Sequence, residues 1–389
     1  MKILSIIFRN AFRHKLRTIL TVFGIAMAVM AFGLLRTVVG AWNAGVAGSS
    51  ANRMIVRHRV SFIFPLPTAD RAEIERVPGV TSVSWANWFG GVYGPDPNDF
   101  KNFWPRLAVD PETWFKVYPE YIVAPDEFDA FMKDRSGCII GAKLAARHSF
   151  KIGDVITMNG DIFPGSWQFT VRGIYHGKEP STDETQMFFQ WNYLYEQVNA
   201  REPGRTVGAG WYVLQVGKPD DMPKVAGAVD DMYTNSAAPT KTESERAFQQ
   251  GFVAMSSAII TSLQVISFVI IGIILLVLAN TIVMAVRERT REYAVLKTIG
   301  FTGRHLTAFI LGESLLIGLA GGVVGVLLTF PVVKGFSRAV PGMFPVMGVA
   351  PVTVVMALVA AGLCGVAAAA APTVRAVRLS IVNGLRTVG

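Results

Sequence analysis

Four long apolar runs, separated by stretches of different texture, set the pattern of this chain. They lie at about 18–40 (TILTVFGIAMAVMAFGLLRTVVG), 257–286, 304–331 (RHLTAFILGESLLIGLAGGVVGVLLTFP) and 350–372 (APVTVVMALVAAGLCGVAAAAAP). A helix crossing ~30 Å of hydrocarbon needs roughly 20 mainly apolar residues, so the pattern predicts four membrane-spanning helices. The second run is longer than a span requires, since its length at ~1.5 Å per residue is about 45 Å. Its outer end is expected to project, continuous with the helical pattern TESERAFQQGFVAMSS before it. A matching projection after Thr37 would make the two helices a stalk.

The first and second runs are separated by residues 41–250, too many for a loop and enough for one or two globular lobes. Short strand and helix patterns alternate there. RMIVRHRVSFIF, TADRAEIERV and GVTSVSWANWFG read as strand, helix and strand, with a Pro78-Gly79 turn before the last; WYVLQVG and PDDMPKVAGAVDDMY repeat strand and helix near the far end. Two such units at opposite ends predict one α+β lobe closed by its two termini. SGCIIGAKLAARHSFKIGDVITMNG and WQFTVRGIYH predict a second, more β-rich lobe between them. The expected fold is thus an α-helical membrane protein with four transmembrane helices and a large two-lobed α+β extracytoplasmic domain inserted between helices 1 and 2.

Charge orients this picture. Of 389 residues 51% are hydrophobic and 17% charged, against a charged share of about a quarter in ordinary soluble domains. Residues 41–250 hold 21 Lys/Arg against 25 Asp/Glu, net −4, whereas the remainder holds 16 against 3, net +13. The basic character therefore belongs to the flanks of the apolar runs, and nucleic-acid binding is not implied. Lys2, Arg9, Arg13, Lys15 and Arg17 precede the first run. Arg287, Arg289, Arg291, Lys297 and Arg304 separate the second from the third, and Arg375, Arg378 and Arg386 follow the fourth. The positive-inside bias places these segments, and both termini, in the cytoplasm. Besides the four spans and the 41–250 domain, the expected parts are a 1–17 amphipathic helix, a 287–303 cytoplasmic segment, a 332–349 outer loop and a 373–389 cytoplasmic tail. In the 1–17 segment Leu4, Phe8, Phe12 and Leu16 fall four apart while Arg9, Arg13 and Arg17 line another face, as in a helix lying on the inner leaflet. The alternative for the first run is a cleavable signal, but it exceeds the usual ~7–15 residue apolar region.

Motifs narrow the chemistry by their absence. No G-x-x-x-x-G-K-[ST] phosphate loop, G-x-S-x-G elbow or H-E-x-x-H pair occurs. No catalytic residue, cofactor ligand or metal ligand is expected in this chain. The five His residues are scattered; His58 and His176 could meet in the outer domain, although a lone His is more often solvated. Cys138 and Cys364 fall in different compartments, so no disulfide is expected. Trp85, Trp88, Trp104, Trp114, Trp167, Trp191 and Trp211 fit either a hydrophobic cleft or ordinary core packing.

Arg36 and Glu313 interrupt apolar sequence. Arg36 is near the outer end of the first run and can snorkel. Glu313 stands deeper, where a carboxylate is either a functional group or a helix-packing hydrogen-bond partner. Gly318, Gly321, Gly322 and Gly325 give two overlapping G-x-x-x-G spacings, which flatten a helix face for packing within the chain or for dimerisation.

The segment RERTREYAVLKTIG, 287–300, reads as a short amphipathic helix at the cytoplasmic surface. Arg287, Glu288, Arg291 and Glu292 decorate its start, Tyr293, Leu296 and Ile299 lie on or near one face, and Gly300 offers a C-cap. Positive-inside bias explains the arginines but not Glu288, Glu292 or the apolar edge; a docking element for a cytosolic partner explains both.

These residues carry a family resemblance. RERTREYAVLKTIGFTGRHLTAFILGESLLIGLAGGVVG resembles the corresponding segment of MacB-like/FtsX-like ABC transporter permeases. RNAFRHKLRTILTVFGIAMAV, IIGAKLAARHSFKIGDVITM with FTVRGIY, and APTVRAVRLSIVNGLR are similar to the family's opening, outer-domain and closing motifs in the same order. Ile381 stands where proline is usual, and Asn383-Gly384 where Glu-Ala is usual.

The resemblance implies a multi-pass permease of a bacterial inner membrane working by mechanotransmission. ATP and Mg²⁺ would be held by a separate cytosolic ABC ATPase, since no ATPase domain precedes the first span. Arg287, Glu288, Arg291, Glu292, Tyr293, Leu296 and Gly300 would couple to it. Other implied partners are a second copy or a related permease, membrane lipids, and a periplasmic adaptor or substrate-binding protein. The cargo would be a hydrophobic, lipid-linked or peptide substrate, exported or extracted; an FtsX-like signalling subunit that activates a periplasmic partner without transport is the alternative.

Overall fold

The computed structural model describes residues 13–43, 46, 48–96, 102–179, 182–339 and 347–382. Residues 1–12 of the expected amphipathic helix, 340–346 of the outer loop and 383–389 of the tail lie outside the described residues. The chain divides into two compact units, one built on the four long helices and one on Ala41–Met255.

The first long helix is α1 (Lys15–Trp42). The inserted domain that follows has strands β1 (Arg53–His58), β2 (Val80–Trp88), β3 (Gly91–Tyr93), β4 (Arg106–Val109), β5 (Tyr121–Ile122), β6 (Gly137–Gly141), β7 (Val155–Gly160), β8 (Gly165–Gly177), β9 (Met187–Gln190), β10 (Trp211–Val216) and β11 (Thr240–Ser244). Its helices are α2 (Arg71–Ile74), α3 (Trp114–Val117), α4 (Pro125–Lys133), α5 (Ala142–His148), α6 (Trp191–Arg201), α7 (Met222–Tyr233) and α8 (Glu245–Met255).

All strands belong to one continuous sheet in the order β11-β1-β10-β2-β4-β9-β6-β8-β7-β3, with β5 beside β8. At one end β1-α2-β2 and β10-α7-β11 interleave as two split strand-helix-strand units, every pair antiparallel. This is the lobe closed by its two chain ends. At the other end β2 pairs β4 while β3, only two residues further along the chain, pairs β7. The strands from β2/β3 round through β4, β9, β6, β8 and β7 therefore close into a ring. The two lobes are two regions of one sheet.

Side chains of alternating direction sort into three cores. Met54, Val56, Tyr212 and Leu214 meet Val225 and Val229 of α7 on one face. Ile55, Trp211 and Val213 point the other way, into a core that runs on through Val109, Ile139 and Phe188 to Trp114 and Phe131. Phe89, Cys138, Ile140, Trp167, Phe169 and Phe189 fill the ring, with Phe89 edge-on to Trp167 and Phe189 at 5.1 and 5.3 Å. Of the seven tryptophans singled out above, Trp104, Trp114, Trp167, Trp191 and Trp211 are buried and Trp85 packs between cores. They are core residues, with only Trp88 substantially exposed.

Four more helices complete the chain: α9 (Ser257–Glu288), α10 (Thr290–Thr298), α11 (Gly303–Ala339) and α12 (Pro351–Arg378). Together with α1, the helices α9, α11 and α12 are long and apolar enough to cross a membrane. The third and fourth spans do not stop at Pro331 and Pro372, as expected; both helices run through the proline, to Ala339 and Arg378. Each proline removes one backbone hydrogen bond, but Val333 and Ala376 beyond them are buried. Packing of the next turn offsets the lost bond, as membrane bundles tolerate.

The bundle is close-packed around α11. A Cβ on Gly318 or Gly322 would lie 2.9 Å from Ala361 of α12, and one on Gly321 or Gly325 would lie 2.6 Å from Ile25 or Val29 of α1. The two G-x-x-x-G spacings thus serve two intrachain faces, one for each neighbour. Ile25, Val29 and Phe32 of α1 are core residues of this bundle, so α1 is an integral span. Arg36 reaches Met356 Sδ at 3.7 Å.

Candidate functional site

The most heavily connected polar region is where α9 ends, α10 crosses and α11 begins. Chain reversal there is built by local chemistry. Gly300, at φ +99°, ends α10: its N–H donates to Lys297 O and that of Phe301 donates to Leu296 O, satisfying the last carbonyls in a Schellman arrangement. Thr302 and His305 then exchange hydrogen bonds at the start of α11, with Thr302 N–H donating to His305 Nδ1 at 3.3 Å. His305 thus satisfies the Thr302 N–H as the Glu of a capping box does, while the Thr302 hydroxyl bonds the same ring nitrogen rather than a backbone N–H.

Helix α10 is tied down at both ends. At its start Arg13 Nη1 donates to Glu292 Oε1 at 2.6 Å, and Arg17 Nη1 donates to both carboxylate oxygens of Glu288 at 2.9 Å. These acids therefore bind the beginning of α1. At its end Lys297 Nζ donates to the carbonyls of Val377 and Leu379, at 2.7 and 2.6 Å, closing the C-terminus of α12. Between the tethers, Tyr293 and Ala294 are buried with Leu306, Ile310, Ala369 and Ala376, while Leu296 packs at the margin.

The third tether is Arg289, between α9 and α10. Its Nη1 donates to Glu313 Oε2 at 2.8 Å, with the two side chains only 5% and 9% exposed. Glu313 is therefore an ion-pair partner reached from the connecting segment. Nearby, the Tyr293 phenol is pushed up to about 12, chiefly by burial, with Arg289 opposing and Glu313 reinforcing the shift. It stays protonated at physiological pH.

The predicted residues are thus divided between two sides of α10. Tyr293 and Leu296 face the protein's own spans, whereas Arg287, Glu288, Arg291, Glu292 and Gly300 are exposed. Sequence reasoning missed Val295 and Arg289. Val295 and Ile299, 42% and 70% exposed, continue the line of Glu292 along α10, beyond Glu288 at the end of α9. They form one outward stripe at helical spacing.

The inserted domain has its own clasp. Arg53, opening β1, donates Nε to Glu245 Oε2 at 2.9 Å and Nη2 to Glu120 Oε1 at 2.7 Å. Glu245 opens α8 and also accepts from Ser50 N–H. The incoming and outgoing segments of the domain are therefore joined by a buried pair. A cavity of about 640 Å³ lies elsewhere on this domain, between Ile122, Val123, Pro125 and Ile174, with Glu127 and His176 on its wall. His58 is distant from it in the sheet, pairing with Thr240 on β11 while His176 pairs with Ile122 on β5. Among the described residues no group of three or more His, Cys, Asp or Glu could hold a metal ion, and both cysteines are buried free thiols.

Residues 18–232 match the family described as MacB-like periplasmic core domain, and residues 264–381 match FtsX-like permease C-terminal. The macrolide export ATP-binding/permease protein MacB of Bordetella avium is 31% identical over 144 residues, covering 37% of this chain but 21% of that protein. The chain thus matches about a fifth of that relative's length. An uncharacterized ABC transporter permease of Methanocaldococcus jannaschii is 23% identical over 345 residues, 84% of this chain and 82% of that one. The periplasmic region of MacB from Actinobacillus actinomycetemcomitans overlays 53% of this chain and 95% of its own, at 10% identity and a TM-score of 0.37.

Proposed function

Because the chain belongs to the MacB-like, FtsX-like family of ABC transporter permeases, we propose that it transmits the work of a separate cytosolic ATPase, which holds ATP and Mg²⁺, to its inserted domain. The observation that carries this reading is the triple attachment of α10 and the turn leading into it, to the start of α1 through Arg13–Glu292 and Arg17–Glu288, to α11 through Arg289–Glu313, and to α12 through Lys297. Three spans receive any force applied to this one nine-residue helix. The stripe that remains outward, Glu288, Glu292, Val295 and Ile299, is the surface on which the ATPase presses.

The basic flanks support a cytoplasmic position for this surface and both termini, in a bacterial inner membrane, with the inserted domain outside. Two permease chains, identical or related, pair with two ATPase chains. The Arg53–Glu245 clasp joins the two segments that lead to spans α1 and α9, so displacement of the spans reaches the domain as a unit. The open, mainly apolar outer cavity favours a hydrophobic, lipid-linked or peptide substrate, handled outside the membrane or from its outer leaflet.

The test is co-purification of the ATPase from native membranes with the Val295→Asp, Ile299→Asp double variant. Both side chains are exposed, so the fold is expected to survive while ATPase recovery drops at least tenfold. Undiminished recovery with the variant would remove α10 as the docking element.

A further inference from the structure

A cavity of about 120 Å³ opens at the basic end of the helical unit, between Val283, Arg287 and Tyr293 on one side and Pro372, Arg375 and Leu379 on the other. Arg287 lies in the last turn of α9 and Arg375 in the last turns of α12. Two helix ends therefore bring two guanidinium groups to one opening. Neither arginine makes an ion pair among the described residues. No carboxylate lines the cavity, and the acids adjacent in sequence, Glu288 and Glu292, are already held by Arg17 and Arg13. Cations at helix C-termini complement the helix dipole, which accounts for each arginine singly. It does not account for two exposed like charges meeting at the mouth of one apolar cavity whose wall carries no carboxylate.

We propose that this cavity binds the headgroup phosphate of an anionic phospholipid, with the glycerol and upper acyl chain against Val283 and Pro372. Guanidinium groups bind phosphate oxygens in paired hydrogen bonds, and basic pockets between membrane helices take anionic headgroups. A lipid fits better than a soluble phosphate because the remaining wall is apolar and is formed by the ends of two spanning helices. The bound lipid would bridge α9, α10 through Tyr293, and α12, adding a link to α9 beside the Lys297 tether from α10 to α12. Two cations near the surface favour an anionic over a zwitterionic lipid by roughly 30-fold. The inference uses the helical unit alone and is read without an ATPase, so it stands or falls independently of the docking stripe.

The experiment is native mass spectrometry of the full chain in detergent, titrated with phosphatidylglycerol or phosphatidylcholine. Wild type is expected to retain the anionic lipid with a preference of roughly 30-fold. Arg287→Gln with Arg375→Gln should abolish the preference, and the corresponding double Lys variant should keep most of it. Arg291→Gln with Arg304→Gln removes the same net charge from exposed positions outside the cavity and should behave as wild type. Equal retention of the two lipids by wild type would overturn the proposal, as would an equal loss in the Arg291/Arg304 variant, which would assign the effect to overall charge. Loss of the preference in the Lys variant would also overturn it.

Discussion

Removing one member of the Arg289–Glu313 pair should cost far more than removing both. The pair is made by a 2.8 Å hydrogen bond between side chains 5% and 9% exposed. Arg289→Met leaves Glu313 buried without that cation, and Glu313→Leu leaves the buried guanidinium without its carboxylate. Breaking a buried pair in this way costs about 3–5 kcal/mol, whereas replacing both partners by apolar groups of similar size is often neutral. At about 2–4 °C per kcal/mol for a unit of this size, each single variant should melt on the order of 10 °C lower. The double variant should lie within about 3 °C of wild type, a non-additivity expected only of groups in direct contact.

The assay is thermal unfolding in detergent, read by a thiol-reactive dye on Cys364, which is buried in the helical bundle. Cys138→Ala in the background silences the other thiol. Partner ATPase activity is measured alongside, because a stable double variant with depressed substrate stimulation would separate transmission from stability. Losses that add in the double variant would refute the reasoning, as would an Arg289→Met variant that melts with wild type. Either outcome would mean that the two groups are solvated independently.

Two further outcomes follow from the packing and the charges. Gly325→Leu would place a side chain 2.6 Å from Val29 Cβ and 2.7 Å from the Ala26 carbonyl, so overpacking should cost about 1–3 kcal/mol or more. Gly272→Leu, with nothing within 4 Å, should be silent; equal Cys364 melting of the two variants would exclude the α1–α11 contact. In the inserted domain, burial first and Glu73 second raise the Asp70 carboxyl from 3.8 to about 6. The folded state therefore holds this proton more tightly than the unfolded chain, and stability falls as pH rises from about 4 to about 6. Asp70→Asn removes that loss, so in full-length protein the Cys138 transition should be higher than wild type at pH 7 and flatter across pH 4–7. A variant that tracks wild type across this range would show that Asp70 does not titrate there.

Long periodic patterns were legible because they depend on one property at a time. Apolar length alone marked α1, α9, α11 and α12, and alternation alone marked β1, β2 and β10. The third and fourth runs were bounded at 331 and 372 by apolar length, whereas the helices continue to Ala339 and Arg378, because their continuation rests on packing of the next turn against other helices rather than on apolar length. The same limit governed the site. Glu313 stood out as a carboxylate in apolar sequence, but its partner Arg289 sits in a run of cations that positive-inside bias explains without remainder. Nothing local distinguishes it from Arg291, which is exposed. Likewise the amphipathic pattern of 287–300 located α10 but assigned its apolar edge outward, whereas Tyr293 turns inward to Leu306 and Ala376. A helix lying across the ends of other helices has two partly apolar faces, one for the bundle and one for whatever presses on it. Its periodicity reports their sum, so only the contacts of Tyr293 and the exposure of Ile299 separate the face that holds α10 in place from the face left for a partner.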